Sequence, residues 1–453
     1  VALVAGRPAI QPADVEGRFR TARRAVGVLL LAVFVGAPWI RILGLPAVLI
    51  DIPGRRLILA GTIFSPHDTW ALALLLLMAA LGLFLFTSVL GRIWCGWACP
   101  QTVFLDWVYR PIERWIEGPV HRRKRRDAGP WGVDWWRRKL AKHALFVGVT
   151  AAATAVFLTW FVGGPELLRG EIGPTGTTLG GLLFVAFYAD GFWFREQLCN
   201  FACPYARFQG ALMDTTSLVV AYDVHRGEPR RKGKAPEGGD CVDCNRCVAV
   251  CPNGIDIRQG DQLSCIACAS CVDACDAVMV QLGRPAGLVR FTTRRDEPRS
   301  VGEARPVIGP RARTYSVLLA VVSVALVVGL ATRPDVVVAV ARAPSAELFS
   351  VLPDGRIANR FTIHISNRGR EDHSFGVTSS SVGVDVAAAG LPWPVAGGRE
   401  DRLEGFVIAA ADGFRAGRMP ARLVIERDDG VRVEAPVHLL GPGAAAGPSS
   451  TER

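Results

Sequence analysis

The sequence predicts a multi-domain fold: an α-helical membrane bundle with about five transmembrane helices, an inserted cysteine-rich module, and a C-terminal immunoglobulin-like β-sandwich. Three observations carry this. The 453 residues are 50% hydrophobic and 21% charged with a formal net charge of +11, and the mean hydropathy is +0.27. That balance suits an integral membrane protein with basic cytoplasmic loops and excludes an ordinary soluble enzyme. All 12 cysteines lie between Cys95 and Cys275 in tight local clusters, the pattern of metal ligation in a reducing compartment and not of a disulfide framework. Beyond residue 333, apolar and polar residues alternate between Gly, Asp and Asn turns, as in half-buried strands.

A helix crosses the hydrocarbon core with roughly 20 apolar residues. Five stretches qualify: 25–45, 70–90, 140–162, 177–194 and 315–331. The first follows Arg18, Arg20, Arg23 and Arg24. Pro38, Trp39 and Arg41 stand where a small-residue cleavage site belongs, so it reads as a retained span and not a leader. The fourth is short and carries Asp190, costly at mid-membrane but tolerable near an interface or against a polar partner. Charge supports that span. HRRKRR and WWRRK make the loop before the third span basic, and 207–313 is basic too, whereas 163–176 has only Arg169. The positive-inside rule puts the N-terminus and both basic loops inside and the C-terminal region outside, with Arg55 and Arg56 an exception in the first outer loop.

Between the fourth and fifth spans lie CVDCNRCVAVCP, with Cys241, Cys244, Cys247 and Cys251, and CIACASCVDAC, with Cys265, Cys268, Cys271 and Cys275. Each has the bacterial ferredoxin spacing, in which three closely spaced thiolates wrap one 4Fe–4S cluster and the fourth cysteine serves the other cluster. Cys241, Cys244, Cys247 and Cys275 are therefore assigned to one cluster, and Cys265, Cys268, Cys271 and Cys251 to the second. Zinc knuckles use paired C-x2-C arms, which this doubled run is not. Ile255, Ile257, Val278 and Val280 are expected to pack around the clusters and keep water out.

The remaining cysteines form two C-x-x-x-C-P elements, Cys95 with Cys99 and Cys199 with Cys203, just past the second and fourth spans. Residues four apart share a helix face, and the proline ends or redirects the helix. Four thiolates from two helix ends suit a soft site for Cu(I) or another iron–sulfur centre; the bland alternative is inert buried thiols. His67 and His143 read as packing or polar contacts. Trp94, Trp97, Trp107 and Trp115 read as an interfacial belt, and HRRKRR as a topology signal beside anionic lipid, with no nucleic-acid-binding motif to accompany it. RDDGVR is a hairpin signal inside the C-terminal sandwich, and GPGAAAGPSSTER reads as a disordered tail.

Taken in order, WCGWACPQTVF, FREQLCNFACPYARFQGALMD, YDVHRGEPR, GDCVDCNRCVAVCPNGIDIRQG and CIACASCVDACDAVM resemble the CcoG/FixG/RdxA family of accessory proteins for cbb(3)-type cytochrome c oxidase assembly. The resemblance runs over about 39–293. Asp190 and AGTIFSPHD around Ser65 depart from the family pattern. It implies a multi-pass protein of the bacterial cytoplasmic membrane with two 4Fe–4S clusters in the cytoplasm and its C-terminal domain in the periplasm. It also implies a metal (cupric) reductase that turns Cu(II) into Cu(I), with Cys95, Cys99, Cys199 and Cys203 as the catalytic and copper-handling residues. Implied partners are membrane lipid, copper-transport and oxidase-assembly proteins, and an electron donor that the sequence does not name. Two rivals stand beside this: a quinol-linked electron conduit to a periplasmic reductase, and a redox sensor or assembly scaffold. The expected organisation is a cytoplasmic segment 1–24, a membrane domain 25–206, a ferredoxin domain 207–313, a fifth helix 314–332, an immunoglobulin-like domain 333–440 and a tail 441–453.

Overall fold

The computed structural model describes residues 10–65, 68–231, 238–296, 308–342 and 348–442. His67 and nearly all of the expected tail, 443–453, lie outside these. The chain forms two compact units, one made of residues up to 54, 58–61 and 73–326, the other of 55–57, 62–72 and residues from 327 onward.

Five helices are long and apolar enough to cross a membrane: Arg18–Trp39, Thr69–Leu90, Val133–Val162, Gly173–Phe194 and Pro310–Ala331. The first begins at Arg18 and ends at Trp39, short of the expected 45. The basic cluster is thus inside the helix, and Arg23 is 1% exposed. After this helix the chain turns into short strands, Val48–Asp51, Arg56–Leu59 and Thr62–Phe64. Small residues allow close packing between helices: a Cβ on Gly27 would meet the indole of Trp107. The third and fourth spans are joined by apolar contacts such as Phe157 edge-on to Phe187, with ring centroids 5.6 Å apart.

The inserted module is closed by a two-stranded antiparallel ribbon. Leu218–Tyr222 pairs with Val289–Thr293, so the module's entry and exit lie side by side, and every residue of both strands is buried. Ile257, Val272, Met279 and Leu288 fill its core at 2% exposure or less. Val278 packs as expected, but Val280 is 69% exposed. It sits on the outer face of the helix Ser270–Gln281, where a helical repeat and not a strand repeat decides which residues face inward.

In the second unit, two antiparallel sheets face each other. One orders Val384–Ala388, Glu400–Ala409, Ile357–Asn367 and Val336–Arg342, with Ser350–Val351 added to the third strand; the other orders Trp393–Val395, His373–Ser379, Arg418–Arg427 and Arg432–Leu440. Alternate residues point inward, as the pleat requires: Phe361, Ile363 and Ile365 from one sheet meet Phe375, Leu423 and Leu439 from the other, all buried. The RDDGVR hairpin forms as read. Arg427 N–H donates to Val431 O at 2.9 Å, and Gly430 supplies the left-handed φ of +87° that a tight turn needs.

Candidate functional site

The two cysteine loops have the same backbone. In each, the residues flanking the middle cysteine are left-handed: Asp243 and Asn245 at φ 52° and 56°, and Ala267 and Ala269 at 50° and 59°. Alternating right- and left-handed residues turn successive N–H groups toward one point, a concavity that attracts anions, including iron–sulfur cores. A helix then begins one residue before the third cysteine of each run, Arg246–Ala249 and Ser270–Gln281.

Cys247, Cys251, Cys265, Cys268 and Cys271, with Ile255 and Ile257, line one small pocket. Burial pushes the Cys251 thiol up to about 11 and Cys265 to about 12, and Cys268 pushes both further in the same direction. Burial likewise pushes Cys275 up to about 12, with Cys247, Cys241 and Cys244 among the neighbours that add to it. The eight thiols form one connected group, since Cys271 is raised by burial, then by Cys268, Cys265 and Cys251, and also by Cys247 of the other set. Thiols this reluctant to ionise stay protonated until a metal takes the proton's place. Among the described residues, no three His, Cys, Asp or Glu side chains stand close enough to hold a single ion. A 4Fe–4S cluster spreads its four thiolates over separate irons. Donor type, pocket and backbone concavities therefore fit two such clusters, with one-electron transfer as the chemistry they supply.

The C-x-x-x-C-P elements differ from the expected single helix face. Cys95 sits in the short helix Ile93–Trp97, and Cys99 is the N-cap of the next helix, Pro100–Phe104. Cys199 lies in a π-turn, Leu198–Ala202, and Cys203 caps Pro204–Leu212. Each proline starts a helix instead of ending one, because its fixed φ and missing N–H suit the first helical position. The spans Thr69–Leu90 and Gly173–Phe194 lead into the two elements in the same way. All four thiols are partly buried and neighbour one another, although no three of them stand close enough in this structure to hold a single ion. Burial pushes Cys199 up to about 12, and Cys99, Cys95 and Cys203 add to it; burial and then Cys99 do the same for Cys95, also to about 12. Cys99 is raised by burial and partly relieved by the N–H groups of Gln101 and Thr102 at the helix start. Gln209, 1% exposed, donates from Nε2 to the Cys95 sulfur at 3.0 Å.

Asp190, the departure noted above, is held at this site: Gln101 Nε2 donates to its carboxylate at 3.0 Å and to Arg195 O at 2.9 Å. His143 makes the polar contact expected of it, Nδ1 to Tyr188 Oη at 3.0 Å. The tryptophans divide. Trp115 is 80% exposed, in keeping with a belt, but Trp97 Nε1 donates to Ala267 O at 3.2 Å and Trp107 lies under the Arg20 guanidinium at 4.1 Å.

Sequence reading missed the charged lattice behind these cysteines. Arg23 and Arg110 both hold Asp106, Arg110 also holds Glu196, and Arg195 and Arg123 hold Glu113. Arg123 comes from HRRKRR and is 4% exposed, so that run is more than a topology signal. The clue available in sequence was Asp106 and Glu113 standing four and three residues either side of Arg110 on one helical stretch.

Comparison with known proteins agrees with this geometry. Residues 194–294 match the model of a 4Fe–4S dicluster domain, 72–126 that of a 4Fe–4S binding domain, and 326–442 the immunoglobulin-like fold at the C-terminus of FixG. Fold and site thus define a membrane-type iron–sulfur electron-transfer protein. The chain is 39% identical over 413 residues to protein RdxA of Cereibacter sphaeroides, covering 87% of this chain and 88% of that one. It is 38% identical over 416 residues to nitrogen fixation protein FixG of Rhizobium meliloti, covering 82% and 79%. The chain belongs to the FixG/RdxA/CcoG family. A more distant relative, ferredoxin-type protein NapH of Haemophilus influenzae, is 26% identical over 279 residues, 57% of this chain and 87% of that one.

Proposed function

We propose that the protein reduces Cu(II) to Cu(I) on the cytoplasmic side of a bacterial membrane, for copper insertion during assembly of a cbb(3)-type cytochrome c oxidase. One observation carries this reading: two helix starts bring Cys95, Cys99, Cys199 and Cys203 into mutual influence beside the loop that bears Cys265, Cys268 and Cys271, where Trp97 reaches Ala267. Thiolates favour Cu(I) over Cu(II), so the site itself favours the reduced ion. In this reading Cys241, Cys244, Cys247 and Cys275 hold one 4Fe–4S cluster, and Cys265, Cys268, Cys271 and Cys251 the other. These clusters, when bound, supply single electrons, and Cu(II) needs one to become Cu(I). The ferredoxin module lies in the cytoplasm, and the β-sandwich is periplasmic and docks copper-transport or oxidase-assembly partners.

A second reading, a quinol-linked conduit to a periplasmic reductase, draws on the likeness to ferredoxin-type NapH over 57% of this chain. Anaerobic stopped-flow mixing separates the two. Protein reduced with dithionite, freed of excess reductant and mixed with Cu(II) and a Cu(I)-specific chelator, is expected to yield one chelated Cu(I) per stored electron. Stored electrons that stay put with Cu(II), together with cluster reduction by a quinol, favour the conduit.

A further inference from the structure

The structure assigns Arg23 a positioning role: it seats the Cys265–Cys271 loop on the Cys95 segment and holds a fixed positive charge beside that loop. The cluster set Cys251, Cys265, Cys268 and Cys271 thereby becomes the one that serves the copper site. This rests on the reading that Cu(II) is reduced at Cys95, Cys99, Cys199 and Cys203.

The two segments meet backbone to backbone. A Cβ on Gly96 would run into Ile266 O and come within 2.9 Å and 3.0 Å of the Cys268 Cα and N, so only glycine permits the approach. Trp97 Nε1 donates to Ala267 O at 3.2 Å, and Arg92, 3% exposed, donates to Gln262 O at 2.5 Å. Arg23 closes the joint from behind. Its Nε donates to Gly96 O at 2.8 Å, Nη1 to Ser270 Oγ at 3.4 Å and Nη2 to Asp106 at 2.5 Å. Ser270 Oγ in turn lies 3.5 Å from Cys268 Sγ, within reach of the sulfur. One side chain therefore ties the residue after Cys95 to the residue two beyond Cys268. In the other loop Cys244 is exposed, on the side open to a soluble donor.

The charge matters as much as the geometry. A guanidinium stays ionised even when buried. Asp106 offsets it only in part, because Arg110 and Arg20 share that carboxylate. A fixed cation in a low-dielectric setting favours whichever redox state is more negative, and nearby charge and hydrogen bonds set iron–sulfur potentials. Arg23 therefore raises the potential of the set beside Cys95 relative to the set containing Cys244. Each Cu(II) reduced takes one electron, supplied by a low-potential one-electron reductant, which is dithionite in the test.

The test is an EPR-monitored redox titration of the full-length, anaerobically purified protein, with Arg23→Gln, Arg23→Lys and Trp97→Phe. Cys268→Ser and Cys244→Ser identify which signal belongs to which loop. Arg23→Gln is expected to lower the midpoint of the Cys268-dependent signal alone. The expected size is about a tenfold change in its reduced-to-oxidised ratio at fixed potential, ~59 mV for one electron. Arg23→Lys restores most of it. Trp97→Phe leaves both midpoints in place and slows Cu(II) reduction several-fold. An unmoved midpoint in Arg23→Gln, or a shift of the Cys244-dependent signal instead, overturns the assignment. If Arg23→Gln fails to retain iron, an unchanged Cu(II) rate in Trp97→Phe overturns it. A wild-type protein that shows the Arg23 shift but never reduces Cu(II) refutes the copper reading and leaves the positioning role standing.

Discussion

Arg23 donates to the carbonyl oxygen of Gly96 at 2.8 Å with its guanidinium 1% exposed, so a residue of the first membrane helix is part of the wall between Cys95 and the iron–sulfur loops. A charge this deep is tolerable only when it is paired and hydrogen-bonded, and Asp106 is its partner.

That dependence makes Asp106 a stability switch. Burial alone would push its carboxyl up. Arg110, Arg23 and Arg20 outweigh burial and hold it down, at about 2 against the ordinary 3.8. A carboxyl depressed in the fold contributes stability that is fully present above its ordinary value and lost as pH falls through the folded one. Wild type should therefore keep this contribution from pH 7 down to about pH 4. Asp106→Asn, which leaves the buried Arg23 guanidinium without a carboxylate and Arg110 with Glu196 alone, should cost roughly 3–5 kcal/mol at neutral pH. Chemical unfolding in detergent, followed by tryptophan fluorescence, checks both; an Asp106→Asn protein as stable as wild type would mean the lattice carries no net weight.

Much of this was legible in the sequence, and the rest was not, for physical reasons. Length and hydropathy suffice to mark the spans, since crossing a bilayer imposes both, and cysteine spacing marks the ferredoxin loops because cluster geometry dictates it. The role of Arg23 was hidden: beside Arg18, Arg20 and Arg24 it looks like one more topology charge, and only its partners at Gly96, Asp106 and Ser270 distinguish it. The break between Cys95 and Cys99 was hidden because a proline is compatible both with the end of one helix and with the start of the next. Val280 was misjudged because which side of the helix Ser270–Gln281 faces inward is set by its packing and not by nearness to the cysteines.

The crossed ligation has its own check. Cys244→Ser and Cys268→Ser each remove a ligand from a different set, so each alone should lower iron content by about half, and the pair should abolish both the broad absorbance and the bound iron. Protein prepared anaerobically that contains zinc and no sulfide would refute the iron–sulfur assignment.

Topology is tested by reporter fusions. In the proposed topology the helix Gly173–Phe194 returns the chain inside and Pro310–Ala331 takes it out again, so a fusion after Arg207 should report cytoplasm and one after Asp335 periplasm. A periplasmic signal at Arg207 would place the two cysteine pairs on opposite sides of the membrane.

The β-sandwich should fail independently of the metal chemistry. Phe375 is fully buried between its sheets, and Phe375→Ala should cost about 3–5 kcal/mol. Calorimetry should show an earlier transition, with iron content unchanged.

Cys95, Cys99, Cys199 and Cys203 are proposed to act together in copper reduction. The direct measurement is copper stoichiometry and the anaerobic Cu(II) reduction rate of Cys95→Ser combined with Cys199→Ser, with iron measured on the same sample. Loss of bound copper and at least a tenfold slower reduction are expected, with iron at the wild-type level, since one soft ligand leaves each C-x-x-x-C-P element. Copper binding and reduction that persist unaltered in that double variant would place the metal chemistry elsewhere and return these cysteines to a structural role.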